Sequence, residues 1–206
     1  MNQLTAKIIS YVFSPLAMPF FSILLAFTVD PYLASYFTPE SKLAIYSVMV
    51  LNTFLVPTLL ILYLKRLGVI SSLDVEKRRE RFIPFLVTLV LYTTTYFLLR
   101  KSPLPDVVYS MVLACILALI GAFIITLFWK ISIHMTGIGG VIGAMCALFE
   151  AHMFFPSGIL VGLILLAGFI GTARLILNVH TLGQVCCGVL LGFFTQFLTI
   201  KYGLVI

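Results

Sequence analysis

The stretch VVYSMVLACILALIGAFIITLF, residues 107–128, runs for 22 positions without a charged side chain. As a helix rising 1.5 Å per residue it reaches about 33 Å, enough to cross the roughly 30 Å hydrocarbon core of a bilayer. A barrel strand would be about half as long and would alternate polar with apolar positions, which this stretch does not do. Outward from it, the same reading applies to 8–28, 44–64, 82–99, 134–149, 157–173 and 182–200. The sequence therefore predicts an all-α integral membrane protein, one transmembrane domain over 1–206, folded as a bundle of six to seven helices. Its core is expected over 44–200, with an extra N-terminal helix over 8–28. Pro15, Pro19 and Pro57 fall inside these segments and are expected to kink them, which packed membrane helices tolerate.

Composition agrees. Hydrophobic residues make up 62% of the 206 and charged residues 10%, with a mean hydropathy of +1.17. A soluble domain carries about 25% charged residues, so a soluble enzyme, a disordered tail and a disulfide-stapled module are all excluded. The net charge of +6 comes from basic residues crowded between apolar runs. That pattern suits anionic headgroups or orientation signals, not nucleic acid. Cys115, Cys146, Cys186 and Cys187 lie within apolar segments, with no C-x-x-C pairing, and read as small packing residues. Lys7 and the apolar run after it lack a small-x-small cleavage site, so 8–28 reads as a spanning segment and not a signal peptide.

With seven crossings, the connections 65–81, 129–133 and 174–181 share one side of the membrane with the N-terminus. They gather the groups suited to phosphate chemistry: the basic cluster with Lys77, Arg78 and Arg81, then Lys130, Ser132 and His134, then Arg174, Asn178 and His180. The opposite side carries Asp30, Glu40, Lys42, Arg100, Lys101, Asp106, Glu150 and Lys201, balanced in sign. A transporter more often places polar groups at mid-membrane, in broken helices. Here the chemistry is collected at one face. Ser132 and His134 stand beside a helix start, where unpaired N–H groups and the helix dipole favour a phosphate. Arg174 supplies the planar, bidentate partner for phosphate oxygens six positions before His180. The plainer reading of either His is a helix-end side chain bonded to a neighbour.

These residues resemble the motifs of the phosphatidic acid phosphatase type 2 superfamily of membrane lipid phosphatases, K-x6-R-P, P-S-G-H and S-R-x5-H-x3-D. Ile131-Ser132-Ile133-His134 resembles the second, with Pro and Gly replaced. Ala173-Arg174-x5-His180-x3-Gln184 resembles the third, with Ala for Ser and Gln for Asp. The first is poor: the stretch from Lys77 to Pro84 offers basic residues, Arg78 among them, and the Pro, but Ile83 stands where Arg is due, and Arg81 is the nearest substitute. Pro156-Ser157-Gly158 spells part of the second motif, but Ile159 follows in place of His, and it reads as a helix start with Ser157 as N-cap. The Gly137, Gly139, Gly140 and Gly143 run reads as small residues that let helices approach closely.

The resemblance implies hydrolysis of a lipid-linked phosphate or diphosphate without a cofactor or metal. His180 would be the nucleophile, forming a phosphohistidine, and His134 the general acid and base. Arg174, with Ser132 and Lys77, Arg78 or Arg81, would bind the phosphoryl oxygens. It implies a membrane lipid of the phosphatidic acid, phosphatidylglycerol phosphate, polyprenyl diphosphate or lipid A type, in a bacterial inner membrane with the site outside the cytoplasm. The charge count alone points the other way: nine Lys/Arg against three Asp/Glu lie on the motif side, which by the positive-inside rule is cytoplasmic. Gln184 has two readings, as the residue orienting His180 or as the partner of Thr181 in a capping box. The missing Asp and Ser also fit a catalytically silent relative that binds anionic lipid or a protein partner. His152 and Glu150 are expected to face interfacial water.

Overall fold

The computed structural model describes residues 1–72, 75 and 77–205. Asp74 and Glu76 of the basic loop lie outside the described residues. Among the described residues there is no strand, and six helices are long and apolar enough to cross a membrane. The protein is an all-helical integral membrane protein.

The N-terminal segment does not form the single helix expected over 8–28. It breaks into α1 (Gln3–Val12) and α2 (Met18–Val29), separated by a turn that contains Pro15. Pro15 has no N–H to give to a helical ladder, and Pro19 fits the first turn of a new helix. At 12 residues α2 spans about 18 Å, too short to cross the bilayer by itself. The short helix α3 (Pro31–Tyr36) follows.

The next crossing is one continuous unit, Pro39–Arg66, longer than the expected 44–64. It comprises α4 (Pro39–Met49), a π-helical turn at Val50–Leu55, and α5 (Val56–Arg66). Pro57 lacks the N–H that an α-helical ladder would require there. Inside the π turn, Asn52 Nδ2 and Thr53 Oγ1 donate back to the carbonyls of Val48 and Met49, at 3.1 and 2.7 Å. The remaining spans are α6 (Phe82–Leu99), entered through a 3-10 turn at Arg78–Arg81, then α7 (Asp106–Phe128), α8 (Ile133–Ala151), α9 (Ser157–Ile176) and α10 (Leu182–Lys201). α9 begins at Ser157 itself, with Pro156 at the cap and no side-chain capping bond, so Ser157 is not the N-cap.

α8 is the axis of the bundle. Its apolar window is 72% buried, against 22 to 44% for the other spans. α10 lies against it backbone to backbone. A Cβ at Gly192 would collide with the Thr136 carbonyl, one at Gly139 with the Val189 carbonyl, and one at Gly188 would sit 2.6 Å from the Ser132 carbonyl. The glycine run thus serves helix approach. It also brings the starts of α8 and α10 together, where Ser132 N–H donates to the Gln184 carbonyl at 3.3 Å.

The broken N-terminal segment runs along α8 from end to end. The Ser10 carbonyl accepts from His134 Nε2 at 3.1 Å, at the start of α8, and Asp30 meets His152 at its finish. Those two positions lie about 27 Å apart along the helix. At the far end His152 and Glu150 do not simply face water. Asp30 is 0% exposed; its Oδ1 caps α3 through Leu33 N–H, and its Oδ2 lies 2.5 Å from His152 Nδ1. Glu150 pairs with Lys201 at 2.7 Å. A carboxylate buried at a helix start requires a donor or counter-charge, and His152 is the group that reaches it.

Candidate functional site

His134 enters the site from the first turn of α8. The Ser10 carbonyl can only accept, so His134 Nε2 carries the proton and, in the neutral ring, Nδ1 keeps the lone pair. Ser132, at the N-cap, is buried, and its Oγ has neither a capping bond nor any hydrogen-bond partner among the described residues.

Arg174 lies in the last turn of α9, where the helix dipole favours a cation, and is 1% exposed. α9 closes on Asn178 at φ +53°, a left-handed position that Asn tolerates better than most residues. That closure turns the chain back and delivers His180 beside Arg174. His180 Nδ1 lies 2.9 Å from Gln184 Oε1, and the same oxygen accepts the Thr181 N–H at 3.3 Å. A backbone N–H can only donate, so Gln184 presents oxygen and His180 Nδ1 must be the protonated nitrogen. Nε2 is left with its lone pair. The capping box is also present, so both readings of Gln184 hold at once through one oxygen atom. Burial, with help from the positive charges of Arg81, Lys130 and Arg174, pulls the His180 pKa down to about 3 against the opposing bond to Gln184. The ring is neutral at physiological pH.

Arg81 is the first-motif cation that reaches the site. It is buried, with Nε donating to the Val75 carbonyl and Nη1 to the Ile131 carbonyl, each at 2.9 Å. Arg78, three residues earlier and on the same side of the 3-10 turn, reaches the outer end of the same connection and donates to the Phe128 carbonyl at 2.8 Å. Lys77 points outward and pairs with Glu80 at 3.1 Å. Lys77, Arg78 and Ser132, expected to bind phosphate, are not among the residues that line the site cavity, whereas Arg81, His134, Arg174 and His180 are.

That cavity, about 240 Å³, is lined at one end by Ser10, Ser14, Arg81, His134, Arg174 and His180. It continues past Pro84, Phe85, Thr88 and Tyr92 of α6, and past Ile61, Leu62 and Leu119. From Arg81 to Tyr92 is about 16 Å along the helix, half the bilayer core. Its rim includes Tyr11 and Leu62, which are exposed side chains. Sequence reasoning misses Ser10 and Ser14. A backbone carbonyl acting as acceptor leaves no residue-type signal, and the Pro15 break that brings it inward is visible only as a kink.

Among the described residues no three His, Cys, Asp or Glu side chains come together to hold a metal ion. The positive charge at the site is supplied by the guanidinium groups of Arg81 and Arg174, with Lys130 nearby. No protein-family model, curated protein or solved structure matches the chain. What the geometry defines is a class: a polytopic helical membrane protein with a histidine pair and two buried arginines at one end of a cavity that opens along its helices.

Proposed function

We propose that the protein is a metal-independent membrane phosphatase of lipid-linked phosphate or diphosphate, similar to the phosphatidic acid phosphatase type 2 superfamily. The observation that carries this reading is the convergence of Arg81, His134, Arg174 and His180 at the polar end of a cavity whose remainder is mainly apolar, with Thr58, Thr88 and Tyr92 among its walls. A lipid phosphate has that same division. Keeping its chain out of water is worth about 0.8 kcal/mol per CH2, which favours binding in a lane between helices.

In the proposed reaction His180 Nε2 attacks phosphorus, and the bond to the lipid-side oxygen breaks. Arg81 and Arg174 neutralise the charge that spreads over the phosphoryl oxygens. His134 Nε2 is held by Ser10, so Nδ1 is the nitrogen that exchanges protons: its lone pair takes the proton that a singly protonated phosphate group brings, hands it to the leaving oxygen, and then takes a proton from the water that opens the phosphohistidine, to be released with the phosphate product. Gln184 keeps the His180 proton on Nδ1 throughout. We assign the protein to a bacterial inner membrane with the site on the outer side. Labelling of a Lys77→Cys variant by a membrane-impermeant thiol reagent in intact cells checks the side, and protection there would reverse the assignment.

The decisive experiment is phosphate release from detergent-solubilised lipid phosphates and diphosphates by the intact chain. Turnover is expected with EDTA present, together with an acid-labile phosphoenzyme, and His180→Ala should abolish both. His134→Ala should slow phosphomonoesters more than diphosphates, because the poorer leaving group depends more on protonation. Absence of release from every lipid phosphate tried would favour a silent relative that binds anionic lipid.

A further inference from the structure

A second recess lies beside the site cavity, between α6 and α7, with a volume of about 280 Å³. Two exposed arginines, Arg78 and Arg79, and the buried Thr126 line it, with Phe82, Phe85 and Phe123 along its length. Phe85 is a shared wall, lining this recess on one side and the site cavity on the other.

Three independent features give the recess the chemistry of a ligand site. The arginines are the first: among the described residues no carboxylate lies within ion-pair distance of either. The acid next to Arg79, Glu80, is turned toward the Ser71 N–H and hydroxyl, at 2.7 and 2.8 Å, and toward Lys77. The Thr126 hydroxyl is the second. Its residue is 5% exposed and lines the recess, yet the oxygen has no hydrogen-bond partner among the described residues. Buried hydroxyls are ordinarily hydrogen-bonded, and a polar ligand atom in the recess would satisfy this one. Third, the ring faces are grouped, with Phe123 centred 5.3 Å from Phe82 and 5.6 Å from Phe85, and the apolar side chains Leu127 and Phe128 alongside are exposed. At the end of a span, exposed apolar side chains of this kind meet acyl chains.

We propose that this recess holds one anionic phospholipid of the surrounding bilayer. Its phosphodiester lies on Arg78 and Arg79, the Thr126 hydroxyl donates to an ester carbonyl, and the upper part of one chain lies against Phe82, Phe123 and Leu127. Basic pockets between transmembrane helices bind lipid headgroups by this combination of charge and apolar wall. Free phosphate would use the cations alone and leave the aromatic wall bare. The bound lipid would brace the 3-10 turn against the end of α7, where Arg78 already holds the Phe128 carbonyl. This inference does not depend on catalysis.

Native mass spectrometry of the intact chain from mixed phosphatidylglycerol and phosphatidylcholine micelles tests it. Wild-type protein should retain one phosphatidylglycerol in preference to phosphatidylcholine. Arg78→Gln with Arg79→Gln should lower that preference by about 30-fold, roughly five- to sixfold per lost cation. Arg78→Lys with Arg79→Lys keeps the charge and should keep the preference, which separates charge from misfolding. Thr126→Val should weaken retention of both lipids alike, because the ester carbonyl is common to them. Equal retention of the two lipids by wild type would overturn the proposal. So would a matching loss in Lys101→Gln at the opposite face, or displacement of the lipid by inorganic phosphate.

Discussion

Gln184 stands where the resembling motif has Asp, and its single oxygen serves both the Thr181 N–H and the His180 ring. A neutral acceptor fixes the tautomer of His180 but adds no charge to support the imidazolium character that would develop in the proposed attack. In serine proteases, replacing the orienting Asp by Asn costs about 10⁴ in rate, largely because the tautomer is wrong; here the tautomer is right, so the expected penalty is smaller. Gln184→Asp should raise the rate of phosphoryl transfer, and Gln184→Leu should lower it and also remove the capping box. Wild-type rates in both variants would reduce Gln184 to a cap. The low His180 pKa also makes a pH prediction. Folded His180 resists protonation down to about pH 3, whereas an unfolded His titrates near 6.5. The unfolded chain therefore binds more protons across that window, and stability should fall as pH drops from about 6.5 toward 3. Thermal unfolding of wild type and His180→Gln over this range checks it: the variant should show the weaker acid dependence. At this scale the sequence makes His134, Arg174 and His180 legible through spacing. It cannot choose among the clustered cations, because Lys77, Arg78 and Arg81 differ only in which neighbour captures each one.

Long apolar runs are legible because a stretch of bilayer length that buries every backbone polar group has few alternatives to a helix. The exceptions both involve proline. Pro15 divides the first segment into two helices, and the Pro57 region holds a π turn instead of a simple kink. The contact between α8 and α10 is the element on which the site most depends, since it brings Ser132 beside Gln184. Gly192→Ala would place a methyl group against the Thr136 carbonyl, and overpacking of this kind costs about 1–3 kcal/mol. A lowered melting temperature in detergent, with weakened phosphate-analogue binding, is expected. Gly162→Ala makes the control: nothing lies within 4 Å of its added carbon, so helix propensity alone should leave the protein as stable or slightly more so. Equal melting temperatures for the two variants would mean that the close approach is not tight.

At the scale of the whole molecule, polar chemistry is divided between the two ends of α8. The site occupies one end, and the Asp30–His152 pair ties the other. The division of charges by loop makes this polarity readable from sequence, but the long-range pairings have no local signature. Ser10 and His134 are 124 positions apart, and Asp30 and His152 are 122 apart. This separation bears on biosynthesis. Both anchors of the α1–α2 segment belong to a helix that leaves the ribosome long after the segment itself, roughly 6 to 25 seconds later at about 5–20 residues per second. Until then α2 is too short to hold a crossing alone, and Asp30 lacks the His152 ring that meets its second carboxylate oxygen. A segment made early is therefore among the last to settle. In ribosome-arrested chains ending before residue 133, a thiol-reactive probe should still modify a cysteine placed at Asn2 from the side of synthesis and reach Ser22→Cys as well. In chains that extend past His152, Ser22→Cys should become protected. Early protection would mean that the segment inserts without its late-arriving scaffold.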